Sequence, residues 1–432
     1  MLGNPFTELN GGIAGEIETQ SATGAFPRMS HRDTVSATDQ GVQLSEKRVL
    51  LLAVTAAIVT ANAYYIHPII ARVAESFEVR HAIVGAVPAF NQVALAVGIF
   101  FLLPLGDRIS NRRLITVSLL AQVVALVVMA LAENFLLFIA ASTALGFFTI
   151  TPYLLPAYAS RRVELSRLGH VTAVLTAGVI GGIVLSRTAS GVVGEYLGWR
   201  YMYWIAAGLM LGSTLALRAL LEEDAPRGGT TGIASYWQLI SSLPPLLRQY
   251  PDVVASGVIQ GLSFGIFLLI WMGIGLHLTS PEVGLGVDDV GYLGVFSVVN
   301  VVTTPLLGRW ADRVGPKHAR VRVAAVQMAG LVLLLFFGDN FWLLAVPIVI
   351  ISIAGPVVDV TGRMTALGAA PDFRTRLMSL YIVLMFLGGG MGSWAGTITY
   401  DLGGWTFNVS IALCFSALVI VLSVAALRRD RH

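Results

Sequence analysis

Past a polar opening stretch, the chain alternates twelve times between long apolar runs and short polar breaks. Each run is about twenty residues, the length at which a helix rising about 1.5 Å per residue crosses a hydrocarbon core. The first six runs are 48–71, 82–104, 114–132, 135–158, 170–193 and 199–221. The second six are 252–277, 290–308, 321–338, 342–362, 377–399 and 405–427. The pattern predicts an all-α membrane protein of twelve transmembrane helices, with six-helix bundles at 48–221 and 252–427. Residues 1–47, rich in Gly, Ser, Thr and charge, read as a disordered tail, and 428–432 as a short one. Between the bundles, 222–251 reads as a linker opened by Glu222, Glu223, Asp224, Pro226, Gly228 and Gly229. Within it Tyr236, Trp237, Leu239, Ile240, Leu243, Leu246 and Leu247 suggest an interfacial amphipathic stretch interrupted by Pro244 and Pro245.

The halves repeat one another. Val84-Gly85 and Val290-Gly291 open the second and eighth runs, 206 residues apart, and Gly198-Trp199 and Gly404-Trp405 precede the sixth and twelfth at the same offset. Gly106-Asp107-Arg108 and Ala311-Asp312-Arg313 follow the second and eighth runs, 205 residues apart. A duplicated six-span unit accounts for all three, and repeats of this kind typify secondary transporters with a central site between the halves.

Charge sets the expected orientation. Lys and Arg favour the cytoplasmic side. With the first residue inside, 24 of the 28 basic residues fall in cytoplasmic segments; Arg72, Arg80 and Arg200 fall outside, and Arg187 falls within a span. Both termini are then cytoplasmic, in a plasma (inner) membrane. Composition agrees, with 56% hydrophobic and only 12% charged residues; a soluble chain carries about a quarter charged. The net charge of +3 does not imply nucleic acid, because the basic residues sit at span ends. The single cysteine, Cys414, excludes an internal disulfide framework and CxxC chemistry. The sequence contains no GxxxxGK[ST] loop or HExxH, so ATP is not the expected energy source, no cofactor or metal is expected, and an enzyme or sensor is the least favoured class.

Gly308-Arg309-Trp310-Ala311-Asp312-Arg313-Val314-Gly315-Pro316-Lys317 matches a G-x-x-x-D-R-x-G-x-K/R loop. On this motif the chain resembles the major facilitator superfamily over about 48–427. A looser first-half copy is Asp107-Arg108-Ile109-Ser110-Asn111-Arg112-Arg113. A carboxylate at a helix end can cap a neighbouring helix or pair with a nearby Arg, and a contact made in one conformation only biases an alternating equilibrium. Asp107, Arg108, Arg112, Arg113, Gly308, Asp312, Arg313, Gly315 and Lys317 are therefore candidate gating residues. Asn62-Ala63-Tyr64-Tyr65-Ile66-His67-Pro68 is similar to the N-x-Y-Y-x-Q-P signature of a prokaryotic branch of drug and sugar efflux carriers, with His67 in place of glutamine. The glycine-rich fifth run, with Gly178, Gly181 and Gly182, is similar to the antiporter motif of drug/proton exchangers, and close helix packing explains the same residues. Ser142 stands where many proton-coupled relatives carry arginine.

Ionisable groups inside a bilayer are costly, which makes Arg187, His67 and Asp359 functional candidates. Arg187 and His67 share an outer level, whereas Asp359 lies near the inner end of its run beside Arg363, so Arg187 and Asp359 are not expected to pair. Asn62, Tyr65, Asn91, Gln92, Gln260 and Asn300, with Thr149 and Thr304, complete a candidate pathway lining, and Trp271 is a candidate cavity residue. Trp199, Tyr201, Tyr203, Trp204, Trp342 and Trp405 fit an interfacial aromatic belt. The expected partners are the lipid bilayer and a small-molecule substrate, with protons as the candidate coupling ion; one copy suffices for a pathway. The resemblance implies alternating-access export of a small organic molecule, with uptake by symport as the alternative on the same fold.

Overall fold

The computed structural model describes residues 44–106, 108–160, 162–222, 240–369 and 373–429. The tail before residue 44, Asp107, and Tyr236, Trp237 and Leu239 of the expected amphipathic stretch lie outside these. The apolar runs become spans α1 (Glu46–Ser76), α2 (His81–Leu105), α3 (Asn111–Leu131), α4 (Phe135–Ala159), α5 (Ser166–Tyr196), α6 (Trp199–Leu220), α7 (Pro251–Leu278), α8 (Val287–Val314), α9 (Pro316–Phe337) and α10 (Phe341–Ala369). The last apolar segment, Arg376–Arg429, is two helices, because Gly403 and Gly404 leave helical geometry inside it. We label these α11 (376–402) and α12 (405–429), which completes twelve spans in two six-helix bundles.

The repeat has a backbone counterpart. Gly198 (φ +99°) and Gly404 (φ +66°) both take the left-handed region that a side chain disfavours, and each turns the chain into a helix that starts with a buried tryptophan. Trp199 meets Phe77, Phe138 and Tyr203, while Trp405 stacks on His277 and donates Nε1–H to the Leu334 carbonyl. Trp199, Tyr203 and Trp405 thus belong to bundle interiors rather than to the expected belt; Tyr201, Trp204 and Trp342 are exposed. The repeated glycines 85 and 291 also match in place. Gly85 lies against Thr397 of α11, and Gly291 against Gly191 of α5, so α2–α11 and α8–α5 are paired crossings between the halves.

Several spans extend beyond their apolar runs because charged residues at their ends find partners inside. Arg320 lies within α9, fully buried, and donates to Thr361, Ser256 and Thr365. Asp359 and Arg363, one turn apart on α10, pair at 2.8 Å and carry that helix past its expected end. Residues 308–314 of the second-half motif are also the last turns of α8 rather than loop, with Asp312 and Arg313 exposed there. The prolines of the linker begin a short helix, Leu243–Gln249, instead of breaking one. Ile240, Leu243 and Leu246 are buried in the protein core, where an interfacial stretch would have faced lipid.

Four spans are interrupted. In α1 the helix breaks at 62–65 between Glu46–Ala61 and Ile66–Ser76; in α2 at Gly85, between His81–Val84 and Ala86–Leu105; in α4 at 149–150; in α8 the stretch Gly294–Val298 tightens into a 3₁₀ turn. Irregular backbone at membrane depth is tolerated where it is covered by protein or lines a cavity, and mid-helix 3₁₀ turns often mark hinges. The breaks in α1 and α8 face each other across Arg187.

Candidate functional site

Arg187, two thirds of the way along α5, is fully buried at the junction of the halves. Its Nε donates to His67 Nδ1 at 3.4 Å, just after the α1 break. Three aromatic rings surround the guanidinium, with its carbon 4.1 Å from the ring centroid of Trp271, 4.9 Å from Phe267 and 5.2 Å from Tyr64. Tyr64 also meets the His67 ring edge-on at 5.2 Å. From α8, Gly294 sits so close that an added Cβ would lie 3.0 Å from Arg187 Cβ. Two spans of each half, α1 and α5 with α7 and α8, therefore build one cluster.

The polar edges of this cluster are unsatisfied. Arg187 Nη1 and Nη2 and His67 Nε2 are buried without a hydrogen-bond partner among the described residues. Because His67 Nδ1 accepts from Arg187, a neutral ring carries its proton on Nε2, so every free edge is a donor.

The other candidates separate into groups. Tyr65 points into the first-bundle core, and its carbonyl accepts from Ser190; the neighbouring Tyr64 is the one that faces Arg187. Asn62 donates to Gln122 at 3.4 Å, and Gln122 also accepts from Thr149, which ties α1, α3 and α4 together. Asn91 donates to the Ser142 carbonyl at 2.8 Å, joining α2 to α4. Among the described residues Gln92 is buried with both amide ends unpartnered, and Gln260, Asn300 and Thr304 each leave an oxygen unpartnered. Asp359 lies apart from Arg187, held by Arg363 and by the Tyr381 hydroxyl at 3.0 Å. Phe267, Tyr64 and Gln122 escaped the sequence reading. Phe267 lies one helical turn before Trp271, a spacing that a search around Trp271 could have used.

The contacts between halves are uneven from end to end. At the end opposite the basic loops, Arg80 pairs with Asp401 at 2.6 Å and Trp394 Nε1 donates to the Ala82 carbonyl. There Glu195 accepts from Arg72 and from the Val287 amide, and Tyr196 donates to Asp288. Just below, Thr188 donates to the Gly291 carbonyl. The Ile66–Ser76 part of α1 is the part that packs on α7, and α5 meets α8 chiefly along 287–298. Toward the basic end the halves share the ring pair Tyr153–Phe386, at 6.0 Å. There Asp312 and Arg313 are exposed, and Asp312 makes no ion pair among the described residues. Lys317 binds Asp252 within its own half, and Arg112 donates to the Arg218 carbonyl within the first.

A family model described as Major Facilitator Superfamily matches residues 52–278 and 253–432. The chain is 25% identical over 381 residues to a protein of Escherichia coli O157:H7 described as "Uncharacterized transporter YgaY", covering 88% of this chain and 95% of that one. It is 24% identical over 389 residues to a Helicobacter pylori protein described as "Probable sugar efflux transporter", covering 86% and 93%. Among solved structures, a bacterial homologue of the human lysosomal transporter Spinster, inward-facing and unoccupied, superposes with TM-score 0.71 at 13% identity, over 88% of this chain and 96% of that one. A D-xylose-proton symporter superposes with TM-score 0.68, also at 13% identity, over 87% and 96%.

Proposed function

Since the chain belongs to the major facilitator superfamily, we propose that it is a secondary active transporter that exports a small organic molecule by alternating access. The reading rests on one observation: a buried, donor-rich cluster shared by both halves, with the inter-half contacts concentrated on one side of it. Residues 48–221 and 252–427 are the rocking units, joined by 222–251. The basic end faces the cytoplasm, as the distribution of Lys and Arg favours. The geometry is then an inward-facing one, sealed outside chiefly by the close packing of α5 on α8, with Arg80–Asp401 and the Glu195 contacts at its rim. Asp107 and Asp312 would engage when the inner side closes, since the exposed Asp312 is free to find a partner on the other half or at a neighbouring helix end.

Export is favoured by the likeness of Asn62–Pro68 to the efflux-branch signature and by relatives described as sugar efflux transporters. Exchange for protons is the coupling we propose, with His67 as the carrier, because its imidazole touches the buried guanidinium. A transport role is supported by the family and by the binding groups that this site offers. The test uses compounds that stabilise the protein in a thermal-shift screen, assayed for uptake into everted and right-side-out vesicles. Accumulation in everted vesicles is expected. Accumulation in right-side-out vesicles alone would sink export and leave uptake by symport.

A further inference from the structure

We propose that the cargo is an organic anion, a carboxylate or similar oxyanion on an aromatic or apolar body, bound by Arg187 and His67 inside the cage of Tyr64, Phe267 and Trp271. The proposal rests on the transporter reading above and deepens it.

Among the described residues two arginines are fully buried, and they differ in one respect. Arg320 has a hydroxyl for each of its nitrogens: Thr361 at 3.2 Å from Nε, Ser256 at 3.0 Å from Nη1 and Thr365 at 3.2 Å from Nη2. It lies within one half, and its role is complete without a ligand. Arg187 has one long hydrogen bond to an imidazole and none at Nη1 or Nη2. A structural arginine would have been given acceptors, as Arg320 was.

What surrounds Arg187 narrows the ligand. Aromatic faces stabilise a cation through its plane and leave the N–H edges open. A guanidinium keeps its charge and presents those edges as a planar fork that fits a carboxylate with two parallel hydrogen bonds. His67 Nε2–H is a further donor. The free edges of Arg187 and His67 offer donors alone, so they repel a cationic head and give an amide less than a carboxylate, because the amide NH₂ finds no acceptor on them. The rings favour an aromatic or apolar remainder. The location is also the one a carrier needs, because an anion held between α1, α5, α7 and α8 touches both halves.

The test measures binding to the full chain in detergent with matched probes that share one body: indole-3-acetate, indole-3-acetamide and tryptamine, and the corresponding phenylpropionate set. A carboxylate should raise the melting temperature, with the amide at least about ten-fold weaker and the amine without effect. Arg187→Met should lose the carboxylate response, and Arg187→Lys should keep its sign at lower affinity, which excludes misfolding as the cause. Equal response to amide or amine, no response to any carboxylate, or an unchanged response in Arg187→Met would overturn the proposal. So would stabilisation by chloride alone to which no carboxylate adds. Vesicle flux of the bound carboxylate is scored separately. Selective binding without flux would contradict the carrier reading alone, whereas flux without preference for the anion would contradict this one alone.

Discussion

Arg187 of α5 holds its guanidinium 4.1 Å from the centroid of the Trp271 ring of α7, so a buried charge of the first half rests on an aromatic face of the second. Any motion that separates the halves at this level must break that contact or carry ligand into it. The consequences can be measured.

Arg187→Ala should abolish transport while leaving expression and membrane insertion intact. Arg187→Met should do the same and melt no lower than the wild type. Removing a buried charge that no carboxylate pairs with relieves a desolvation cost of several kcal/mol, which offsets the loss of three cation–π contacts of up to about 2 kcal/mol each. Near-normal flux in either variant would remove Arg187 from the mechanism.

Arg320→Ala should behave oppositely, lowering melting temperature, because it strips three hydroxyls on α7 and α10 of their donor. The loss of buried hydrogen bonds to a charged group costs about 1.5–3 kcal/mol each. An unchanged melting temperature would contradict this structural role.

His67→Gln should flatten the pH dependence of transport. Acid places a proton on the nitrogen that accepts from Arg187, turning an attraction into two facing donors, so transport should change as pH falls in the wild type and not in the variant. Superimposable pH profiles would discard His67 as the coupling group.

Gly191→Val should shift the protein toward the outward-facing state. A Cβ at Gly191 would lie 2.8 Å from Gly291 Cα and from the Val287 carbonyl oxygen, between two spans that belong to different halves. Overpacking costs about 1–3 kcal/mol, enough to move a two-state population by about five- to 150-fold. Disrupting the exposed Arg80–Asp401 pair should move it by no more than about five-fold, since such pairs contribute about 1 kcal/mol at most. Thiol accessibility at single cysteines, in a Cys414→Ser background, reads both. Equal effects from the two would contradict the assignment of the seal to α5–α8 packing.

Twelve spans, the duplication and the level of Arg187 and His67 were all legible in the sequence, because each is a matter of one-dimensional spacing. What was not legible was the facing of residues at irregular backbone. Tyr64 and Tyr65 are adjacent, and the break at 62–65 sends Tyr64 toward Arg187 and Tyr65 into the bundle core, an outcome no helical period predicts. Arg320 read as a loop residue because hydropathy cannot see the hydroxyls that accept its hydrogen bonds on other spans. The separation of Asp359 from Arg187, by contrast, followed from depth along the helices, and the structure gives Asp359 its own partner in Arg363.

The most direct measurement is a pair of spin-label distances between the halves, taken on one protein in liposomes. One pair joins Ile83 to Leu402 at the sealed end, and the other joins Ser160 to Leu367 at the basic end, all four residues being exposed. On changing pH or adding a carboxylate that the protein binds, the first distance should lengthen as the second shortens, and the two should reverse together. Two distances that move in the same direction, or that both stay fixed in a preparation that transports, would contradict alternating access about Arg187.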